Sequence, residues 1–199
     1  MSSIDQVIAA WNSADPAAIH PARDLSEDAY RASGEAQAEL LAAVLPTGGR
    51  VVDFGCGDGR VAIPLRLAGF DVTGADGSQA MLDRLAERAP EMPWVLSDGT
   101  DLAATIGKKV DAVVSLAVLI HHSYEAGEAI IEGLRAAVRV NGILVLDWPV
   151  ADQPVEGGSW ISVTTWSREQ QDAICARVGL KRLDSDLPWA AFRAVKAGG

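Results

Sequence analysis

Only two of the 199 residues are cysteine, and Cys56 and Cys175 match neither a C-x-x-C pair nor a zinc spacing. That excludes a disulfide framework and a structural metal, and fits a reducing compartment where each thiol is a small apolar residue. Long hydrophobic runs are also missing, since none approaches the roughly 18 residues of a membrane span. The start, Met1-Ser2-Ser3-Ile4-Asp5-Gln6, lacks the basic and apolar regions of a signal peptide, so a cytoplasmic protein without a membrane partner is expected. Basic residues are scarce: 17 Lys and Arg against 27 Asp and Glu give a net charge of −10. With no Lys/Arg cluster, a phosphate backbone would be repelled, and no nucleic-acid partner is expected.

What the chain does have is apolar content, 49% of residues, and a period that alternates between strand and helix. Its length suits one domain over 1–199, with a helical cover at 1–45, a ligand-binding core at 46–150 and a tail at 151–199. The cover is Ala-rich and interrupted by Pro16 and Pro21, and its Leu40, Leu41, Val44 and Leu45 form an apolar stripe stopped by Pro46. Strands are expected at Arg50 to Phe54, Asp71 to Ala75, Pro93 to Leu96, Val110 to Leu116 and Ile143 to Asp147. Helices fall between them at Arg60 to Ala68, at Ser78 to Arg88, and from Tyr124 to Val140, where Asn141-Gly142 signals a stop. The tail reads as a helix from Ser167 to Gly179, then strands Leu180 to Leu183 and Trp189 to Val195 joined as a hairpin. The fold class is therefore α/β: a doubly wound, Rossmann-like, mainly parallel seven-stranded sheet with helices on both faces and a C-terminal antiparallel hairpin.

In such a sheet ligands bind beyond the carboxyl ends of the strands. The first of these ends is Val51-Val52-Asp53-Phe54-Gly55-Cys56-Gly57-Asp58-Gly59-Arg60. Its glycines alternate, and Arg60 stands where the dinucleotide fingerprint G-x-G-x-x-G places its third glycine. Asp76 closes the second strand, where it either accepts both hydroxyls of a ribose or caps the helix that starts near Ser78. Asp98 closes the third beside Gly99, as an acceptor for an exocyclic amine or as an Asp-Gly turn. The fourth ends in Leu116 to His122 and the fifth in Asp147-Trp148-Pro149.

The glycine loop, then Val72-Thr73-Gly74-Ala75-Asp76-Gly77-Ser78, then Ser97-Asp98-Gly99-Thr100-Asp101-Leu102, resembles class I S-adenosylmethionine-dependent methyltransferases from about Glu35 to Asp147. The resemblance implies that Asp53, Gly55, Cys56, Gly57 and Gly59 surround the methionine part of S-adenosylmethionine. It implies further that Asp76 holds the ribose, with Gly77, Ser78 and Met81 beside it, and that Asp98 and Gly99 meet the adenine. Leu116 and Ala117 would line the methionine end, and Tyr30 is either an aromatic lid or a surface tyrosine. Asp58 sits at a variable position and would only cap the next helix. The expected partner is a small-molecule methyl acceptor with an oxygen, nitrogen or carbon nucleophile, and the product is S-adenosylhomocysteine.

Methyl transfer needs alignment first and a base only where the acceptor must lose a proton. His121 and His122, at the mouth after the fourth strand, are the candidate bases or else a polar loop; His20 has no such setting. Trp148, Trp160 and Trp166 could wall an acceptor pocket, whereas Trp94 and Trp189 read as packing residues. The place of an Asn/Asp-Pro-Pro-aromatic motif reads Ser115-Leu116-Ala117-Val118, which disfavours methylation of DNA amines. Two other readings stay open: a non-catalytic cofactor-binding protein, and a nicotinamide-dependent oxidoreductase, which Arg60 opposes.

Overall fold

A computed structural model describes residues 3–15 and 26–196. Pro16, His20 and Pro21 lie outside the described residues. Helix α1 (Ile4–Trp11) starts from a Ser3–Gln6 capping box, and α2 (Glu27–Ala42) from Ser26. Then follow β1 (Arg50–Phe54), α3 (Ala62–Leu67), β2 (Asp71–Asp76), α4 (Gln79–Arg88), β3 (Trp94–Leu96), α5 (Leu102–Ile106) and β4 (Val110–Ser115). The chain closes with α6 (Tyr124–Ala137), β5 (Val138–Leu146), α7 (Arg168–Val178), β6 (Leu180–Arg182) and β7 (Ala190–Ala194).

The seven strands form one sheet in the order β3-β2-β1-β4-β5-β7-β6. β3 through β5 pair in parallel, and β7 runs antiparallel to both β5 and β6. The mainly parallel sheet and its C-terminal hairpin are as expected, and strand order reverses at β1, between β2 and β4. Successive β1 residues serve opposite faces. Val51 joins Leu41 of α2, Leu65 of α3 and Leu85 of α4, while Val52 joins Ile130 and Leu134 of α6 and Ile174 of α7. Each such buried Leu or Ile stabilises the fold by about 1.5–3 kcal/mol. Arg135 bolts α6 to the tail through the carbonyls of Gly179 and Val195. Among the described residues, no helix is long and apolar enough to cross a membrane.

Four local expectations are corrected, and one short helix, α5, was not expected. The helix expected to run to Val140 ends at Ala137, because β-branched Val138 is already extended and pairs with Val110. Asn141-Gly142 is accordingly an irregularity inside β5, with Asn141 at φ +67°, rather than a helix stop. α5 has only five residues before Gly107 turns left-handed, too short to show a period. Of the expected stripe, Leu41, Val44 and Leu45 join the core together with Ala38 while Leu40 is exposed, and Trp94 lies 38% exposed on edge strand β3 instead of packed.

Candidate functional site

The carboxyl ends of β1, β2, β3 and β4 open into a cavity of about 710 Å³, closed on the far side by α1 and the loop after β5. This lies within the range of about 300–1,000 Å³ usual for small-molecule sites. The glycine loop after β1 forms its floor. At Gly55, φ is +74° and a Cβ would stand 2.0 Å from Val118 Cγ2, so only glycine fits against the β4 loop. Gly57 is different: φ is +54°, yet a Cβ would meet no atom of the described residues within 4 Å. The space in front of its backbone opens to the cavity.

Asp76 pins that loop. Its Oδ2 accepts the Gly57 N–H at 2.9 Å and its Oδ1 the Ser78 N–H at 2.8 Å. The Gly77 N–H also interacts with this carboxylate, and the residue lines the cavity. Burial raises its pKa against these bonds. Asp53 is buried beneath, and loss of solvent pushes its pKa up to about 7, opposed by Arg60 and a backbone N–H of Ala62 and reinforced by Asp76. Cys56 also lines the floor, its thiol pKa raised well above the usual value by burial. Asp98 lines the cavity from β3, where its Oδ1 accepts both the N–H and the hydroxyl of Thr100.

On the other side of β1, the chain leaving β4 takes a left-handed turn at Ala117, φ +57°. A non-glycine residue held there costs on the order of 1–3 kcal/mol. The Asp147 carboxylate offsets part of that cost by accepting the Ala117 N–H at 3.2 Å. Leu116, His121 and His122 complete this wall. Nδ1 of each histidine is buried without a hydrogen-bond partner among the described residues, and the His121 ring has a backbone hydrogen-bond partner at Ser162. Burial lowers the pKa of His121, and burial plus the neighbouring His121 lowers that of His122 to about 4.

The roof comes from α1 and α2. Ile8 packs over Gly77, where a Cβ would fall 2.6 Å from its Cδ1, and Asn12 Oδ1 accepts the Ser78 hydroxyl at 2.8 Å. Trp11 meets Trp160 edge-on, with centroids 5.6 Å apart, and His121 at 6.1 Å. Tyr30 is buried at the roof, its hydroxyl donating to Asp58 Oδ1 at 3.4 Å; burial, reinforced by Asp58, raises its pKa to about 12. The guanidinium of Arg60 lies 5.5 Å from the Tyr30 ring centroid and lines the cavity.

Of the residues expected at the site, Tyr30, Asp53, Gly55, Cys56, Gly57, Asp76, Gly77, Met81, Asp98, Leu116, Ala117, His121 and His122 line this cavity. Gly59, Ser78 and Gly99 stand behind its wall. A Cβ at Gly59 would strike Leu85 and one at Gly99 the Phe54 ring, while Ser78 caps α4. Asp58 does more than cap: it is buried between Arg31, at 2.5 Å, and Arg88, at 3.8 Å, and so ties α2 and α4 to the loop. Trp160 lines the cavity, whereas Trp148 and Trp166 pack edge-on against each other in the core. Sequence reasoning missed the α1 residues Val7, Ile8 and Trp11. Their i, i+1, i+4 apolar spacing was the available signal.

A protein-family model described as "Methyltransferase domain" matches residues 51–142, which hold the glycine loop, Asp76 and Asp98. Over that stretch the chain is similar to methyltransferases. It is 40% identical over 90 residues to the magnesium-protoporphyrin O-methyltransferase of Synechocystis, covering 42% of this chain and 38% of that one. It is 36% identical over 115 residues to trans-aconitate 2-methyltransferase of Paracidovorax citrulli, covering 56% and 43% respectively. The matches thus span less than half the length of these two curated methyltransferases. In fold, the crystal structure of magnesium protoporphyrin IX methyltransferase from Synechocystis PCC 6803 with bound SAM is similar at a TM-score of 0.69, with 21% identity and 98% of each chain covered. Strand order 3-2-1-4-5-7-6 places the glycine loop at the β1 switch point of the sheet.

Proposed function

We propose that this chain binds S-adenosylmethionine in the β1–β4 cavity and transfers its methyl group to a small-molecule nucleophile, leaving S-adenosylhomocysteine. The observation that carries the reading is Asp76. Its carboxylate holds the glycine loop through backbone N–H groups while lining the cavity at the end of β2, and a carboxylate there can accept from a ribose diol. The bare backbone at Gly57 supports close approach of the methionine part, and Arg60 offers its carboxylate a guanidinium. Asp98 is placed to accept from the adenine amine. Ser78, Gly59 and Gly99 act from behind, by fixing the backbone. The described parts of 1–45 serve as the roof, 46–150 as the cofactor core and 151–199 as acceptor wall and sheet edge, within one domain. Free, buried Cys56 and Cys175 are consistent with a cytoplasmic setting.

Bound there, S-adenosylmethionine supplies a methyl group already activated by its sulfonium. The protein's task is to hold the acceptor in line, where positioning is worth about 7–11 kcal/mol. In the transfer the acceptor's lone pair forms the new bond to carbon, and the electrons of the old bond stay on sulfur. His121 and His122, neutral at pH 7, accept a hydrogen bond from an acceptor hydroxyl or amine and receive its proton as it leaves. With an acceptor in hand, His121→Gln and His122→Gln are expected to lower kcat and leave KM for the cofactor unchanged. Normal turnover in both would remove the base assignment.

Calorimetric titration of the full chain tests the reading. S-adenosylhomocysteine is expected to bind with one-to-one stoichiometry and NADH not at all. Binding of NADH without S-adenosylhomocysteine would overturn it.

A further inference from the structure

We propose that the methyl acceptor is an uncharged aromatic molecule seated between Trp11, Trp160 and the aliphatic side chains of Ile161 and Val163. This rests on the methyltransferase reading above and specifies what that site accepts. The cavity is divided by chemistry: its carboxylates, Asp53, Asp76 and Asp98, all lie at the ends of β1 to β3, on the cofactor side. The opposite wall, beyond β4 and β5, is Val118, Ile120, Trp160, Ile161 and Val163, facing Trp11 of the roof.

Two features of that wall select the guest. Trp11 and Trp160 meet at an interplanar angle of 83°, and an edge-on pair leaves both faces of one indole uncovered by the other. Ile161 and Val163 are 42% and 52% exposed, apolar surface at the mouth that a bound apolar molecule would remove from water. Charge points the same way. Among the described residues, Arg60 is the sole lysine or arginine lining the cavity, and it sits at the glycine-loop end, bonded to Ser33 and over Tyr30. Three carboxylates face that single guanidinium, so an acceptor with several carboxylates meets a repulsive field and no second fork to hold it. This separates the site from one built for trans-aconitate, a tricarboxylate, although a methyltransferase named for that substrate is among the similar proteins.

The probes are 2-naphthol, 6-hydroxy-2-naphthoate and trans-aconitate, titrated calorimetrically into the full chain saturated with S-adenosylhomocysteine. 2-Naphthol is expected to bind, the naphthoate at least about tenfold more weakly, and trans-aconitate not detectably. Trp160→Ala is expected to weaken 2-naphthol about tenfold with S-adenosylhomocysteine affinity retained. Val163→Arg should reverse the preference toward the naphthoate, which keeps the test informative if the tryptophan variant folds poorly. Equal or tighter binding of trans-aconitate or the naphthoate to the wild-type chain, or no binding of 2-naphthol, would overturn the proposal. Failure of S-adenosylhomocysteine to bind in the preceding titration would instead overturn the methyltransferase reading itself.

Discussion

The two ends of the same sheet treat carboxylates in opposite ways. At the amino end Asp111 accepts from Arg139 Nε at 2.5 Å and from the Arg50 N–H at 2.8 Å, and the Arg139 bond, helped by the Arg50 N–H, holds its pKa below the usual range. At the carboxyl end Asp53, Asp76 and Asp147 have no arginine bonded to them among the described residues, and burial raises the pKa of all three. At the amino end the charge is paired with arginine; at the carboxyl end the charges are buried against backbone N–H groups. Asp58 shows that position alone does not decide this. It lies at the ligand end but is held by Arg31 and Arg88, and its work is to tie α2 and α4 to the loop.

Substitutions that exchange the two kinds of carboxylate should break the contrast most visibly. Asp76→Ala removes two acceptor bonds to a ribose, at about 1.5 kcal/mol or more each, so S-adenosylhomocysteine affinity should fall at least about 100-fold by calorimetry. Gly57→Ala comes next. The new methyl group occupies ligand space and meets no atom of the described residues within 4 Å, so affinity should drop about tenfold or more while the fold loses only about 1 kcal/mol by thermal melting. Gly55→Ala is the converse, a Cβ 2.0 Å from Val118 Cγ2, and should unfold at clearly lower temperature than Gly57→Ala.

A smaller, pH-dependent effect belongs to Asp53. Its folded pKa of about 7 lies above its unfolded value, so the folded state holds the extra proton between roughly pH 4 and 7. Its contribution to stability is therefore full below about pH 4 and is lost as pH rises through about 7. The methionine ammonium favours the ionised form, so S-adenosylhomocysteine should bind a few-fold more tightly at pH 8 than at pH 6, with proton release. Asp53→Asn should flatten that profile. His122, with a pKa of about 4, adds no step between pH 5 and 8. The least change in affinity is expected from Asp111→Ala, within about twofold, because its exposed ion pairs are worth about 1 kcal/mol or less and serve stability alone.

The cofactor half of the site was legible because its demands are local. A buried parallel strand needs an unbroken apolar run, a loop against a ligand needs glycine, and a carboxylate at a strand end stands out against Val and Ala. Asp53, Gly57, Asp76 and Asp98 carry those signals in their own neighbourhoods. The acceptor half was not legible to the same degree. Trp11 and Trp160 lie far apart in the chain and meet only because α1 folds back over β2 and the loop after β5 crosses the mouth. Trp148 and Trp166 carry the same residue type in the same region and are core instead. Only packing separates them. Val138 shows the related limit at an element boundary, where strand pairing with Val110 overrode a helical pattern that ran on to Val140.

A crystal structure of the full chain with S-adenosylhomocysteine tests the central claim most directly. The expected complex has both ribose hydroxyls on the Asp76 carboxylate, the adenine amine at Asp98, the methionine carboxylate near Arg60, and sulfur facing the wall of Trp160 and His122. A ribose held elsewhere, with Asp76 still bonded only to backbone N–H groups, would contradict the account.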